Sequence, residues 1–340
     1  MTKLKTSKDK KNTFVISLGD PAGIGTEVTL KALASKTLPE NINPILVGCK
    51  NNIFETYSKM INHGIKNIIN PSNLQIVDIP IKTKITPGKI SKESGSASFR
   101  WLSSATKIIL EGKGRALITA PISKIAWHEA GHNFAGQTEL LGKLTNKKTS
   151  MLFTAISPKT GWRFNTLLAT THIPLEKIID DLTEKLIRDK LDTLLEFCLK
   201  FKKNPYIHIA GLNPHAGEKG KIGMQEEKLI IPAINQWKLD NPEINILGPV
   251  PPDTCWISAA KAWKEKFNKN APDGILALYH DQGLIPVKLI AFDEAVNTTL
   301  GLPFVRTSPD HGTALDIAGK FIAKEKSMIA AINNAWSLTE

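Results

Sequence analysis

The sequence predicts an α/β fold with a mainly parallel sheet, and three observations predict it. Short β-branched runs bounded by turn residues alternate with helical stretches of ten or more residues along most of the chain; that is the pattern of successive βαβ units. The 340 residues suffice for two ordinary domains or one large α/β unit. Hydrophobic residues at 41% and charged residues at 22% allow a full core and exclude wholesale disorder.

Taken in order, Phe14–Leu18 (FVISL) is the first strand and ends in a glycine loop. Helical periodicity follows over Thr26–Ser35. Pro44–Val47 (PILV) is the next strand, and a helix begins near Asn52. The strand series continues with Ala116–Thr119, Ser150–Thr154, Asn165–Ala169, Tyr206–Ala210, Asn245–Leu247 and Gly274–Leu278, each a short run of β-formers beside turn residues. Apolar spacing predicts long helices near 92–111, 175–202, 225–239 and 254–268. Right-handed crossovers would place those helices on both faces of the sheet. Residues 131–290 are expected to form a middle subdomain. Residues 13–130 and 291–340, the two chain ends, would build the other, and the lysine-rich residues 1–12 a disordered basic tail.

No apolar run approaches the roughly 20 residues that span a bilayer, and the basic N-terminus lacks the apolar stretch of a secretory signal. Cys49, Cys198 and Cys255 are scattered with no CxxC pair, as expected of buried free thiols in the cytoplasm. The net charge is +12, of which the first twelve residues supply five lysines and one aspartate. The remaining lysines are dispersed beside acids, as in LEKIIDDLTEKLIRDK, and no aromatic residues interleave them. A nucleic-acid groove is not expected. A field that attracts anionic metabolites fits better.

Four segments carry chemistry. Gly19-Asp20-Pro21-Ala22-Gly23-Ile24-Gly25-Thr26-Glu27 joins a strand to a helix with GxxxGxG spacing, which is neither a dinucleotide fingerprint nor a Walker loop. It is either a capped turn or an anion site at a helix N-terminus. Gly211-Leu212-Asn213-Pro214-His215-Ala216-Gly217-Glu218 follows the end of a strand, where open α/β sheets place their sites. Tyr279-His280-Asp281-Gln282 is a second polar cluster after an apolar strand, and Lys288 lies beyond Pro286, in one reading on a further strand. Residues 296–314 combine glycine, proline and polar donors. Within them Arg306 beside Thr307 and Ser308 matches an oxyanion's geometry, and Asp310 would cap a helix starting near Thr313. Of eight histidines, His172, His215 and His280 each emerge just past a strand, so they either share one rim of the sheet as a divalent-metal site or are three unrelated loop residues. His208, mid-strand, and His63, at a helix end, read as structural.

These pieces resemble the 4-hydroxythreonine-4-phosphate dehydrogenase (PdxA) family of pyridoxal-phosphate biosynthesis. GDPAGIGTE, APISK, TTHIPL, GLNPHAGE, GPVPPDT, YHDQGLIPVK and VNTTLGLPFVRTSPDHGTALDIAG occur in the family's order over nearly the whole chain. The resemblance implies an isocitrate/isopropylmalate dehydrogenase-like α/β fold, two α/β subdomains flanking a central cleft, in a homodimer whose subunits complete each other's sites. It implies NAD- or NADP-dependent oxidation at C3 of a small phosphorylated amino acid, 4-phosphohydroxythreonine, then decarboxylation to 3-amino-2-oxopropyl phosphate. It places the metal, whether zinc, magnesium or cobalt, on His172, His215 and His280. Substrate contacts fall on Gln137, Thr138, Lys288, Asn297 and Arg306, with Lys288 and the three histidines also catalytic. One residue departs from the family: its GHTE is Gly136-Gln137-Thr138-Glu139 here. Glutamine can bind through hydrogen bonds but cannot take up a proton near neutrality. That departure leaves room for a sister activity on 4-phospho-threonate or 4-phospho-erythronate.

Overall fold

The run Thr13–Ser17 (β1) is buried at every position and opens a regular alternation of strands and helices. The structure, a computed structural model, describes residues 12–265 and 270–340. The expected basic tail therefore lies outside the described residues except for Asn12. After β1 come α1 (Gly25–Ala32), β2 (Asn43–Gly48), α2 (Lys50–Asn62), β3 (Gln75–Asp78), α3 (Lys92–Leu110), β4 (Ala116–Thr119), α4 (Lys124–Glu129) and α5 (Gln137–Thr145). The middle of the chain supplies β5 (Ser150–Ile156), β6 (Arg163–Leu168), α6 (Ile178–Asp181), α7 (Glu184–Leu199), β7 (Tyr206–Ala210), α8 (Ile231–Asp240), β8 (Asn245–Val250), α9 (Ile257–Lys264), β9 (Gly274–Ala277) and α10 (His280–Ala291). The end adds β10 (Val296–Leu300), β11 (Val305–Pro309) and α11 (Lys326–Ser337).

These elements form two compact units, one of residues 12–149 with 296–340, the other Ser150–Ala295. The first unit orders its strands β3-β2-β1-β4-β11-β10. All its pairs are parallel except the β10–β11 hairpin. Its core gathers Phe14, Ile16, Leu46, Leu117, Trp101 and Trp127. Helix α3 shows how sequence dictates that packing. The Ser91 hydroxyl accepts from Ser94 N at 3.1 Å and starts the helix, and Ala97, Trp101, Ala105 and Ile109 recur every four residues on its buried face.

The second unit orders its strands β5-β6-β9-β7-β8. β5 and β6 are antiparallel, and the remaining pairs are parallel. Phe153, Phe164, Leu168, Ile275 and Leu284 form part of its core.

Several elements differ from the sequence expectation, each for a local reason. The helix expected over 175–202 is broken at Leu182, because Thr183 caps a new helix by accepting from Leu186 N at 3.1 Å. Lys288 lies in helix α10, not on a strand: Leu284, Val287 and Ala291 are buried at helical spacing, and that packing outweighs Pro286. Residues 296–309 form a hairpin that the expected strand series did not include. No helix starts near Thr313, and the next one is α11. Residues 131–149 belong to the first unit, with Leu140 and Leu141 of α5 in its core.

Candidate active site

In the second unit, β6, β9 and β7 are adjacent and parallel, so their C-terminal ends share one edge. His172 leaves that edge after β6, His280 after β9 and His215 after β7. The structure brings two of them together. The His172 and His280 rings lie with centroids 5.5 Å apart at 42°. They line a cavity of about 200 Å³ together with Thr170, Thr171, Tyr279 and Asp281. Two imidazoles that share an ion at about 2 Å hold their centroids roughly 5 Å apart, so this pair fits the donor set of a divalent-metal site. Asp281 Oδ1 lies 2.7 Å from His280 Nδ1. That contact fixes the ring and leaves Nε2 to bind, as carboxylates commonly do behind ligating histidines. Among the described residues, no three His, Cys, Asp or Glu side chains are grouped closely enough to hold an ion.

His215 occupies an unusual backbone. His215, Ala216, Gly217, Glu218 and Lys219 all have positive φ, between 47° and 78°, a left-handed turn with four non-glycine residues. Each such residue costs about 1–2 kcal/mol, so the surroundings must enforce the turn. Glu226, wholly buried, does so: its Oε1 accepts from Leu212 N and Asn213 N at 2.7 Å each, and its Oε2 accepts from Asn213 Nδ2 at 2.7 Å. Asn213 is thereby committed to the loop scaffold. Gln282 ties this loop to the His280 helix: Oε1 accepts from Leu278 N at 2.7 Å and Nε2 donates to Gly211 O at 2.7 Å. Gln282 stands in one of the polar clusters of the sequence, but nothing there gives it or Glu226 a role; that both are buried is visible only in the fold. Lys288 is half-buried on α10 with Nζ 5.9 Å from the Phe292 ring centroid.

The other expected substrate contacts lie in the first unit. Arg306, on β11, is 2% exposed and touches hydroxyls: Nε and Nη2 donate to Thr119 Oγ1 at 3.1 and 2.6 Å, and Nη1 donates to Thr299 Oγ1 at 2.9 Å. Burial lowers its pKa to about 10, and the charge of Glu139 partly opposes that shift. Thr138 Oγ1 lies 3.4 Å from Thr299 Oγ1, which joins Thr138 to the same group. Gln137 opens α5 and donates Nε2 to Ala120 O at 3.1 Å. Its Oε1, like Asn297 Oδ1 on β10, is a buried acceptor with no partner among the described residues. Such orphans invite a ligand's N–H or O–H.

The glycine-rich turn before α1 has a packing explanation. A Cβ on Gly19 would fall 2.2 Å from Pro121 O, and one on Gly25 would fall 2.2 Å from Leu18 O. Asp20 Oδ1 accepts from Ala22 N at 2.8 Å, and Asp20 Oδ2 accepts from Ser94 Oγ at 3.3 Å. Burial raises the pKa of this carboxyl. Close backbone approach, rather than an anion, requires these glycines.

The profile of the family described as Pyridoxal phosphate biosynthetic protein PdxA matches residues 39–335. A 4-hydroxythreonine-4-phosphate dehydrogenase of Synechococcus sp. (strain RCC307) is 51% identical over 96% of this chain and 99% of its own. The D-threonate 4-phosphate dehydrogenase of Pectobacterium atrosepticum is 37% identical over 96% of this chain and 98% of its own. The crystal structure of 4-hydroxythreonine-4-phosphate dehydrogenase from Klebsiella pneumoniae superposes with a TM-score of 0.80 at 33% identity, covering 97% of this chain and 100% of that one.

Proposed function

The chain belongs to the PdxA family of pyridoxal phosphate biosynthetic proteins, and from that membership we propose that it is an oxidoreductase that converts 4-phosphohydroxy-L-threonine to 3-amino-2-oxopropyl phosphate. The reaction is NAD- or NADP-dependent oxidation at C3 followed by loss of CO2. The observation that carries the chemistry is the His172–His280 pair over a small cavity at the rim of a parallel sheet. A divalent metal, zinc, magnesium or cobalt, is assigned to that pair with His215 as the third ligand. When bound, the ion supplies Lewis acidity at the C3 oxygen and at the later ketone, and the nicotinamide supplies the hydride acceptor.

The protein's own residues do the rest. Asp281 holds the His280 ring so that one nitrogen faces the cavity. Arg306 offers its unused N–H donors to the substrate's phosphate, a planar cation matched to an oxyanion. Gln137 and Asn297 accept from the substrate's hydroxyl or ammonium through their orphaned oxygens. Lys288 provides a second cation, for the carboxylate. Fixing these groups orients C3 and removes an entropy cost from the chemical step.

We read the functional unit as a homodimer. Ile285, Leu289 and Phe292 follow one another at helical spacing along α10 and are 58%, 81% and 62% exposed. An apolar stripe of that kind on the helix that begins with His280 suits a second copy of the chain. Cys49, Cys198 and Cys255 are free and buried, in keeping with a cytoplasmic location. Among the described residues, no helix is long and apolar enough to cross a membrane.

Gln137 in place of the family histidine and the Pectobacterium relative favour a second reading, oxidation of 4-phospho-threonate or 4-phospho-erythronate. Steady-state kcat/KM decides between them. The value on phosphohydroxythreonine should exceed that on phosphothreonate by at least about tenfold, and the reverse order would transfer the assignment to the sister activity.

A further inference from the structure

We propose that Thr119 and Thr299 are positioning residues that hold the Arg306 guanidinium open for a phosphate dianion. This rests on the reading of Arg306 as the anion-binding residue. The sheet register builds the cradle. Thr299 lies directly opposite Arg306 in the β10–β11 pair, and Thr119 comes from β4, the strand on the other side of β11. A guanidinium has five N–H donors. Three of them engage the two hydroxyls, at 2.6 to 3.1 Å.

The chemical type of the partners matters. A carboxylate in their place would neutralise the arginine and compete with the substrate. A hydroxyl accepts the hydrogen bonds, fixes the plane of the fork and leaves the positive charge for an incoming anion. Burying a cation is costly, and burial does depress the Arg306 pKa to about 10. The charge of Glu139 partly opposes that shift. Thr138, 3.4 Å from Thr299 Oγ1, extends the row of hydroxyls toward α5.

The test uses the full-length enzyme with its metal and inorganic phosphate as the competing probe. Thr119→Val keeps the shape and strand preference of the side chain but removes the acceptor. It should raise KM for the phosphorylated substrate by about tenfold or more, weaken phosphate inhibition in proportion, and raise KM far more than it lowers kcat. Thr119→Ser should restore both constants. Thr307→Val removes a buried hydroxyl that bonds Ala331 O instead, and it should keep the wild-type KM. If Thr119→Val does not fold, Thr299→Val carries the same comparison. Wild-type KM and phosphate inhibition in the folded valine variant, while Arg306→Gln loses both, overturns the cradle alone. An equal rise of KM in Thr307→Val also overturns it. Wild-type KM in Arg306→Gln overturns the underlying assignment of the anion site.

Discussion

His208 lies within β7, 4% exposed, with its ring edge-on to Tyr206 at 4.7 Å and neither ring nitrogen partnered among the described residues. Burial lowers its pKa from 6.5 to about 4. A histidine whose folded-state pKa is depressed stabilises the fold above its unfolded value, and that contribution is lost as pH falls through the window from about 6.5 to about 4. The size is about 3 kcal/mol. Thermal melts of the wild type should therefore drop across that window more steeply than those of His208→Phe, and parallel curves would show that the ring is not buried as a neutral group. Gln137 makes a second residue-scale test. Its Oε1 is an orphaned acceptor and its Nε2 is bound to Ala120 O, which suits the binding role proposed for it. Gln137→His should change kcat by less than about tenfold; a gain of about a hundredfold, nearly 3 kcal/mol, would show that the position carries a proton.

At the scale of elements, the left-handed turn around His215 depends on one buried carboxylate. Glu226→Ala removes the acceptor of Leu212 N, Asn213 N and Asn213 Nδ2. It should destabilise the protein by about 3 kcal/mol and weaken zinc binding, measured by calorimetry, by about 10–100-fold. Unaltered zinc affinity would detach the turn from the metal. The contrast between this turn and the hairpin of Asn297 and Arg306 explains what the sequence reveals. Strands with apolar, β-branched runs, such as Tyr206–Ala210 and Ala116–Thr119, are legible because burial alone determines their pattern. Through them the placement of His172, His215 and His280 just past strand ends is legible too. β10 and β11 bury Thr298, Thr299, Arg306, Thr307 and Ser308; Arg306 and Ser308 bond across the sheet and Thr307 bonds Ala331 O of α11, and no periodicity signals that. The positioning role proposed for Thr119 and Thr299 is invisible in the sequence for the same reason: a threonine in a strand looks like a β-former until its register is known. The break at Thr183 shows a third limit, since a capping hydroxyl inside an amphipathic run does not interrupt the apolar spacing.

At the scale of the molecule, the chain leaves its first unit after Thr149 and returns to it at Val296, so one unit is built from sequence segments far apart. Each carries part of the proposed machinery: the histidines and Lys288 lie in the second, and Gln137, Thr138, Asn297 and Arg306 in the first. The α10 stripe predicts assembly as well. Leu289→Lys should convert a dimer to monomer in sedimentation velocity and reduce turnover with it; a variant that remains dimeric would move the interface elsewhere. The most direct test of the whole account is formation of reduced nicotinamide from 4-phosphohydroxythreonine by metal-stripped enzyme. The stripped wild type should be silent and regain turnover when a divalent ion is restored, whereas folded His280→Ala should stay silent at the same metal concentration. Undiminished turnover after stripping, or near-wild-type turnover in His280→Ala, would contradict it.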